Sequence, residues 1–327
     1  MEKLLKICFI GSGAISTAMG NVLAQKHKYD VYLLSVEQDV VDSISNEHIN
    51  RKYFPNIDLD KSLKATFDKT ILTESDIIFL GIPSSIIVPY IRDNKQFINE
   101  DSLIVNLAKG FGEGQKTIPQ SLSKEIPNQI FGMKGPSFAR EIINNLPTAF
   151  TLASKKDKHF KLFDSIFENT SVQMDYTTDV MGVELASILK NIYAIIVGIV
   201  DANFDSPNLR SLILTKAINE MRVIISKFGG EEYTMFNYCG FGDFTLTALN
   251  DLSRNRTLGL LIGKGFFTDY ISEKVVLEGK VAVNVFVEEI AKKRGVKTKN
   301  LMLKELYKVF NDEDYDINNF VNNITRI

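Results

Sequence analysis

Hydrophobic positions along the chain fall into two regimes. Up to about Asp179, short apolar runs alternate with helical patterns. The runs "LLKICFI", "DVYLLS", "DIIFLGI", "SLIVNLA", "NQIFGM", "TAFTLA" and "SVQMDY" read as strands. Helices are predicted from Ala14 to Gln25, from about Gln38 onward, and from Asp157 to Glu168. Strands as apolar as Ile77 to Ile82 fit burial on both faces, which implies a mostly parallel sheet with helices on each side. From Gly182 onward, helical periodicity takes over. It runs through Val183–Val200, Leu209–Phe228, Thr257–Leu261, Ala282–Arg294 and Leu301–Phe310. The expected fold class is α/β: an N-terminal Rossmann-like doubly wound sheet followed by an all-helical C-terminal domain. Residues 1–180 are expected to bind a dinucleotide, and residues 181–327 to bind substrate and carry catalysis.

Composition narrows this picture. The formal charge of -2 over 327 residues gives no pull toward nucleic acid or an anionic membrane. Cys8 and Cys239 form no CxxC or Cys/His pattern, so neither a disulfide framework nor a zinc site is expected. His27, His48 and His159 lie outside every motif, and no metal is expected. The apolar run in "MEKLLKICFIGSG" is too short for a signal peptide. No segment supplies about 18 uninterrupted apolar residues, so no integral membrane segment is expected. These features together suggest a reduced, cytoplasmic protein, and a homodimer is the expected assembly.

The stretch "FIGSGAIS" places Gly11, Ser12 and Gly13 after a strand, with Ala14 and Ile15 opening a helix. Such glycines permit a tight turn and let a pyrophosphate approach helix N–H groups. The third glycine of the dinucleotide fingerprint is Ser16 here, small enough to pack helix on strand less closely. An acidic residue about 20 positions on would hold the adenosine ribose. Glu37 stands in that region, and its alternative is an exposed residue at a helix start. No Arg or Lys follows it until Arg51 and Lys52, across an intervening helix, which favours NAD, with NADP possible.

In "ELASILKNIYAIIVGIVDA", Lys190 and Asn191 interrupt an apolar helix. At about 100° per residue, Ala186, Ser187, Lys190, Asn191, Ala194, Gly198 and Asp201 share one stripe of small and polar residues. The stripe leaves room for a second helix or for a ligand. A lysine among apolar walls would have a lowered pKa and trade protons near neutrality. Replacing it by alanine is expected to leave the fold intact. Three other stretches suit an anionic ligand. "NLAKGFGEG" puts Lys109 after a buried strand, "GMKGPSFARE" holds Lys134, Ser137 and Arg140, and "NDLSRNRTLG" sets Ser253, Arg254, Asn255 and Arg256 at a helix N-terminus.

These pieces resemble the NAD(P)-dependent glycerol-3-phosphate dehydrogenases. The likeness runs from about Lys6 to about Val296 through "GSG", "GIPS", "AKGF", "GPSFARE", "LPTAF", "LKNIYAI", "GFGDFTLT", "SRNR" and "LEG". It implies interconversion of dihydroxyacetone phosphate and sn-glycerol 3-phosphate by hydride transfer. It implies Lys190 as general acid and base, with Lys109 near the substrate and nicotinamide. Gly135, Ser137, Asn191, Asp243, Thr247, Ser253, Arg254 and Asn255 would meet the substrate, Arg254 at its phosphate. Pro83, Lys109, Ala139, Arg254 and Glu278 would meet the cofactor. The chain departs from the family pattern at Ala14-Ile15-Ser16, at Val36 where Arg or His is common, and near Val281 where Arg is common. Two other readings stay open: a related lysine-using dehydrogenase with another hydroxy substrate, and a non-catalytic dinucleotide sensor.

Overall fold

The computed structural model describes residues 4–266, 273–292 and 302–325, with residues 273–278 described in backbone only. The chain divides into two compact units, Met1–Val180 and Met181–Ile327. In the first unit the order is β1 (Leu5–Ile10), α1 (Ala14–Ala24), β2 (Tyr29–Leu34), α2 (Gln38–Glu47), β3 (Lys64–Thr66), β4 (Ile77–Leu80), α3 (Ser84–Asn94) and β5 (Leu103–Asn106). It continues with α4 (Ile118–Leu122), β6 (Ile130–Lys134), α5 (Ala139–Ile143), β7 (Thr148–Ala153), α6 (Phe160–Phe167) and β8 (Val172–Thr177). One sheet takes the order β3-β2-β1-β4-β5-β6-β7-β8. Every neighbouring pair is parallel except β6 and β7.

Strand alternation builds two cores, one on each face of this sheet. Ile7, Phe9, Ile77, Phe79, Val105 and Phe131 point to one side. Cys8, Ile10, Ile78, Leu80 and Ile104 point to the other. Phe9 and Phe79 stack with centroids 4.6 Å apart. Both cysteines are buried and free, and burial pushes the Cys8 thiol up to about 12. The seven strands read from apolar pattern are all present. The pattern misses β3, a three-residue edge strand with no apolar run. The helix expected from Asp157 begins as a 3-10 turn, Asp157–His159, before α6.

The second unit contains helices and no strand among its described residues. They are α7 (Val180–Asn203), α8 (Pro207–Lys227), α9 (Asp243–Leu249), α10 (Arg254–Gly263), α11 (Glu273–Lys292), α12 (Met302–Asn311) and α13 (Phe320–Thr325). Arg294 and Leu301, which bounded two predicted helices, lie outside the described residues. Helix α7 is long and apolar enough to cross a membrane by length and composition, yet 94% of its apolar window is buried inside the protein. It packs as a core helix.

Glycine sets how closely α10 approaches α7. A Cβ on Gly198 would sit 2.9 Å from Gly259 Cα and from Leu260 N. A Cβ on Gly259 would run into the Ile195 carbonyl. The C-terminal half of the small stripe on α7 is therefore covered by a second helix. Asp201, at the end of the stripe, pairs with Arg256 of α10 and accepts from Arg210 Nε of α8 at 2.7 Å.

Glu220 of α8 ties three helices together. Its carboxylate accepts the Tyr193 hydroxyl of α7 at 2.8 Å and the Met302 N–H that opens α12 at 2.7 Å. Burial raises this carboxyl above its ordinary value of 4.5, outweighing the hydrogen bonds that oppose the shift. The folded chain then holds this proton more tightly than the unfolded chain. The Glu220 contribution to stability falls as pH rises from about 4.5 through the raised value. Glu220→Gln should flatten that part of the stability–pH curve, read by urea denaturation at a series of pH values. Parallel curves for the two proteins would refute the assignment.

Candidate active site

The sheet order reverses between β1 and β4, and open α/β sheets bind ligands beyond the strand ends at such a point. Gly11 adopts φ +99°, a left-handed conformation that favours glycine. A Cβ there would also lie 2.8 Å from Ile82 Cγ2 and 3.0 Å from the Gly81 carbonyl. A Cβ on Gly13 would meet nothing within 4 Å, so open space lies over the residue that caps α1. No side chain caps α1. Its first N–H groups and the positive end of its dipole face a cradle of the kind that takes a pyrophosphate. Pro83 caps α3 after β4, likewise without a side-chain bond.

Ser16 fills the place of the third glycine through an exchange with Gly81. A Cβ on Gly81 would collide with the Ser16 hydroxyl, which is buried with no hydrogen-bond partner. The helix–strand contact keeps its closeness because the glycine stands on the strand side.

At the end of β2 the fingerprint turn is bonded to its neighbours. Ser12 and Ser35 hydroxyls lie 2.7 Å apart, and the Glu37 N–H donates to Ser35 Oγ at 3.1 Å. Glu37 caps α2 and forms an ion pair with Lys52. Asn50, fully buried, donates to the Ser12 carbonyl at 3.0 Å and to Thr17 Oγ1 at 2.9 Å. The turn after α2 is thereby latched onto the fingerprint, which brings Lys52 to Glu37. Sequence reading left Lys52 across an intervening helix from Glu37 and did not single out Asn50. The one signal present was an asparagine two positions before a lysine in a polar turn.

Lys109 follows β5 and donates from Nζ to the Gly135 carbonyl at 3.4 Å. A Cβ on Gly135 would strike the β7 backbone at Ala149 and Phe150, so only glycine fits there. Ser137 Oγ donates to the same carbonyl at 2.9 Å. Ala139 opens α5. Lys134 departs from expectation. It lies on β6 rather than in the following loop, is fully buried, and donates to the Asn106 carbonyl at 2.8 Å. It joins the ends of β5 and β6. Arg140 is exposed on α5.

In the second unit, Lys190 of α7 is 4% exposed, and its Nζ donates to Asp243 Oδ1 at 2.6 Å and to Thr247 Oγ1 at 2.8 Å. Asp243, 1% exposed, opens α9 after a tight π turn, Tyr238–Gly242. A Cβ on Gly240 in that turn would run into the Met235 backbone. The walls around Lys190 thus include a carboxylate, and an ion pair compensates the buried charge. The Asn191 side chain, half-buried, makes no hydrogen bond among the described residues.

Ser253 caps α10 by accepting the Arg256 N–H at 3.3 Å. Arg256 is committed to Asp201 and Asp251. Arg254 is exposed and Asn255 half-buried, and neither makes a side-chain bond among the described residues. An unpaired guanidinium and an amide at the start of a ten-residue helix suit a phosphate. The side chain of Glu278, on α11, lies outside the described residues.

Two family models match the chain. They are the N-terminal part of NAD-dependent glycerol-3-phosphate dehydrogenase over residues 6–160 and its C-terminal part over residues 179–322. The chain belongs to the NAD-dependent glycerol-3-phosphate dehydrogenase family. A relative named glycerol-3-phosphate dehydrogenase (NAD(P)+), from Leptospira biflexa, is 33% identical over 319 residues, 95% of each chain. The solved glycerol-3-phosphate dehydrogenase of Coxiella burnetii matches with TM-score 0.86 and 29% identity, covering 99% of each chain. A D-mandelate dehydrogenase structure matches with TM-score 0.56 and 11% identity over 98% of this chain, a likeness of fold alone.

The exchange between Ser16 and Gly81 is open to a swap within this family scaffold. Gly81→Ala should destabilise the protein by about 1–3 kcal/mol, the usual cost of overpacking. Adding Ser16→Gly should recover most of that loss in chemical denaturation. A double variant no more stable than Gly81→Ala would disprove the exchange.

Proposed function

We propose that this chain interconverts dihydroxyacetone phosphate and sn-glycerol 3-phosphate, with residues 1–180 binding the dinucleotide and residues 181–327 supplying substrate binding and the proton-transferring lysine. Family membership over both units supports the reaction class. The observation that carries the assignment of roles is Lys190, buried in a largely apolar helix and held by Asp243 and Thr247. A buried ion pair contributes little net stability, so a packing role gives weak reason for it.

The dinucleotide, when bound, supplies or accepts the hydride at nicotinamide C4. The uncapped N-terminus of α1 and the open space above Gly13 fit its pyrophosphate, and Glu37 stands where its adenosine ribose would be read. In reduction, negative charge develops on the substrate C2 oxygen. Lys190 donates a proton there, and in oxidation it takes that proton back. Asp243 balances the ammonium, and Asp243 and Thr247 together fix the direction of Nζ. Lys109 adds positive charge toward the reacting carbonyl. Arg254, Asn255 and the first turn of α10 receive the phosphate and orient C2. Gly135, Ser137 and Ser253 line the substrate path, and Ala139 and Pro83 the cofactor path. A homodimer and a cytoplasmic setting belong to the same proposal, and light scattering reads the first.

The hydroxyacid alternative is disfavoured by "SRNR", whose free cationic residue heads a helix where a phosphate fits. The sensor alternative leaves the Lys190–Asp243–Thr247 arrangement without a use.

Lys190→Ala removes an ionic partner from the buried Asp243 carboxylate. The expectation of an unaffected fold therefore gives way to a loss of about 3–5 kcal/mol. Lys190→Ala with Asp243→Asn should recover part of that stability and still turn over at least about a hundredfold more slowly than wild type, the scale of lost acid–base catalysis. Near-normal turnover by the folded double variant would rule out Lys190 as the proton donor.

Arg254→Ala should weaken dihydroxyacetone phosphate by about tenfold or more, and unphosphorylated dihydroxyacetone far less. Steady-state kcat/KM for both substrates checks this. Equal losses on the two would remove Arg254 from the phosphate site.

A further inference from the structure

The end of β2 carries an anion and a cation together, and their arrangement bears on which dinucleotide the chain accepts. Glu37 caps α2 immediately beyond β2, and Lys52 is ion-paired with it. A carboxylate alone at the ribose 2′ position hydrogen-bonds a diol and repels a phosphate dianion. Here the carboxylate is not alone.

Three observations define the pair. Arg51, the other nearby cation, is engaged elsewhere, 2.6 Å from Glu47 at the far end of α2. Lys52 is placed from below by the latch of Asn50 onto Ser12 and Thr17, and its ammonium also lies 5.5 Å from the centre of the Tyr53 ring. The Glu37–Lys52 pair is well exposed, with side chains 37% and 54% accessible. Exposed pairs are weak and rearrange at little cost. A latched backbone with a loosely held ammonium lets the charge move while its origin stays fixed. Val36, exposed just beyond β2, carries no charge.

We propose that Lys52 is a specificity-determining residue that allows this site to accept both NAD and NADP. Facing a ribose diol, Glu37 accepts the hydroxyl hydrogen bonds while Lys52 balances its charge. Facing a 2′-phosphate, Lys52 turns from Glu37 to bridge carboxylate and phosphate, which offsets the repulsion between them. The proposal rests on the reading that Glu37 faces the adenosine ribose.

Direct binding tests it without turnover. NADH and NADPH are titrated into the substrate-free enzyme and followed by nicotinamide fluorescence. Wild type should bind both. Lys52→Met should weaken NADPH relative to NADH by about tenfold, the scale of one charge-assisted hydrogen bond. Lys52→Arg should retain the wild-type ratio to within a few-fold. Glu37→Gln should strengthen NADPH relative to NADH. If Glu37→Gln shifts the ratio and Lys52→Met does not, the role of Lys52 is wrong and the ribose reading stands. If neither shifts it, both are wrong. A wild type with no measurable NADPH binding also overturns the proposal.

Discussion

An ammonium ion buried in an apolar helical unit needs a counter-charge, and the arrangement of the second unit follows from supplying one. Lys190 sits midway along α7, almost fully buried. Its charge is met by Asp243 from another helix, and the tight turn around Gly240 delivers that carboxylate to the first position of α9. Thr247, one turn further along α9, completes the cradle. The same α7 stripe that holds Lys190 narrows to glycine at position 198, where α10 closes in. The helix that brings Arg254 and the helix that carries Lys190 are thus locked together by backbone contact, reinforced by Arg256 on Asp201. Charge burial sets where the Lys190 ammonium stands, and glycine packing sets where the start of α10 stands.

The first unit works under a different constraint, the distance of closest approach between backbones. Gly11, Gly81 and Gly135 each stand where a Cβ would meet neighbouring main chain or a fixed side chain. The fingerprint has redistributed its small residues: the third glycine is a serine on the helix, and Gly81, immediately after β4, makes the room. A motif read only along the helix registers this as a departure. In space the contact distance is preserved. The buried Ser16 hydroxyl without a partner is the cost of that solution.

Much of this was legible in the chain itself. Seven strands, the first helices, the two-regime organisation and the pairing of a dinucleotide fingerprint with a Lys-Asn helix follow from periodicity and local motif, because side-chain alternation and helical repeat are local properties. The three-residue β3 was not legible, since an edge strand with one exposed and two half-buried residues has no hydrophobic signature. Nor was Lys134, whose loop assignment assumed that a cation near a ligand site serves the ligand. The sheet register turned it inward to the Asn106 carbonyl.

The sequence by itself determined which residues carry charge and where backbone freedom is available: Lys190 and Asn191 in an apolar helix, glycines after strands, Arg254 at a helix start. Tertiary structure alone decided their partners. Asp243 lies 53 residues from Lys190, Lys52 lies 15 residues from Glu37, and Gly81, just beyond β4, meets Ser16 of α1. No periodicity encodes such pairings, because they arise from the packing of elements whose separation in sequence exceeds the reach of any helical or strand repeat. The same physical reason turned an expected apolar lysine into an ion-paired one, and an isolated Glu37 into half of a charge pair.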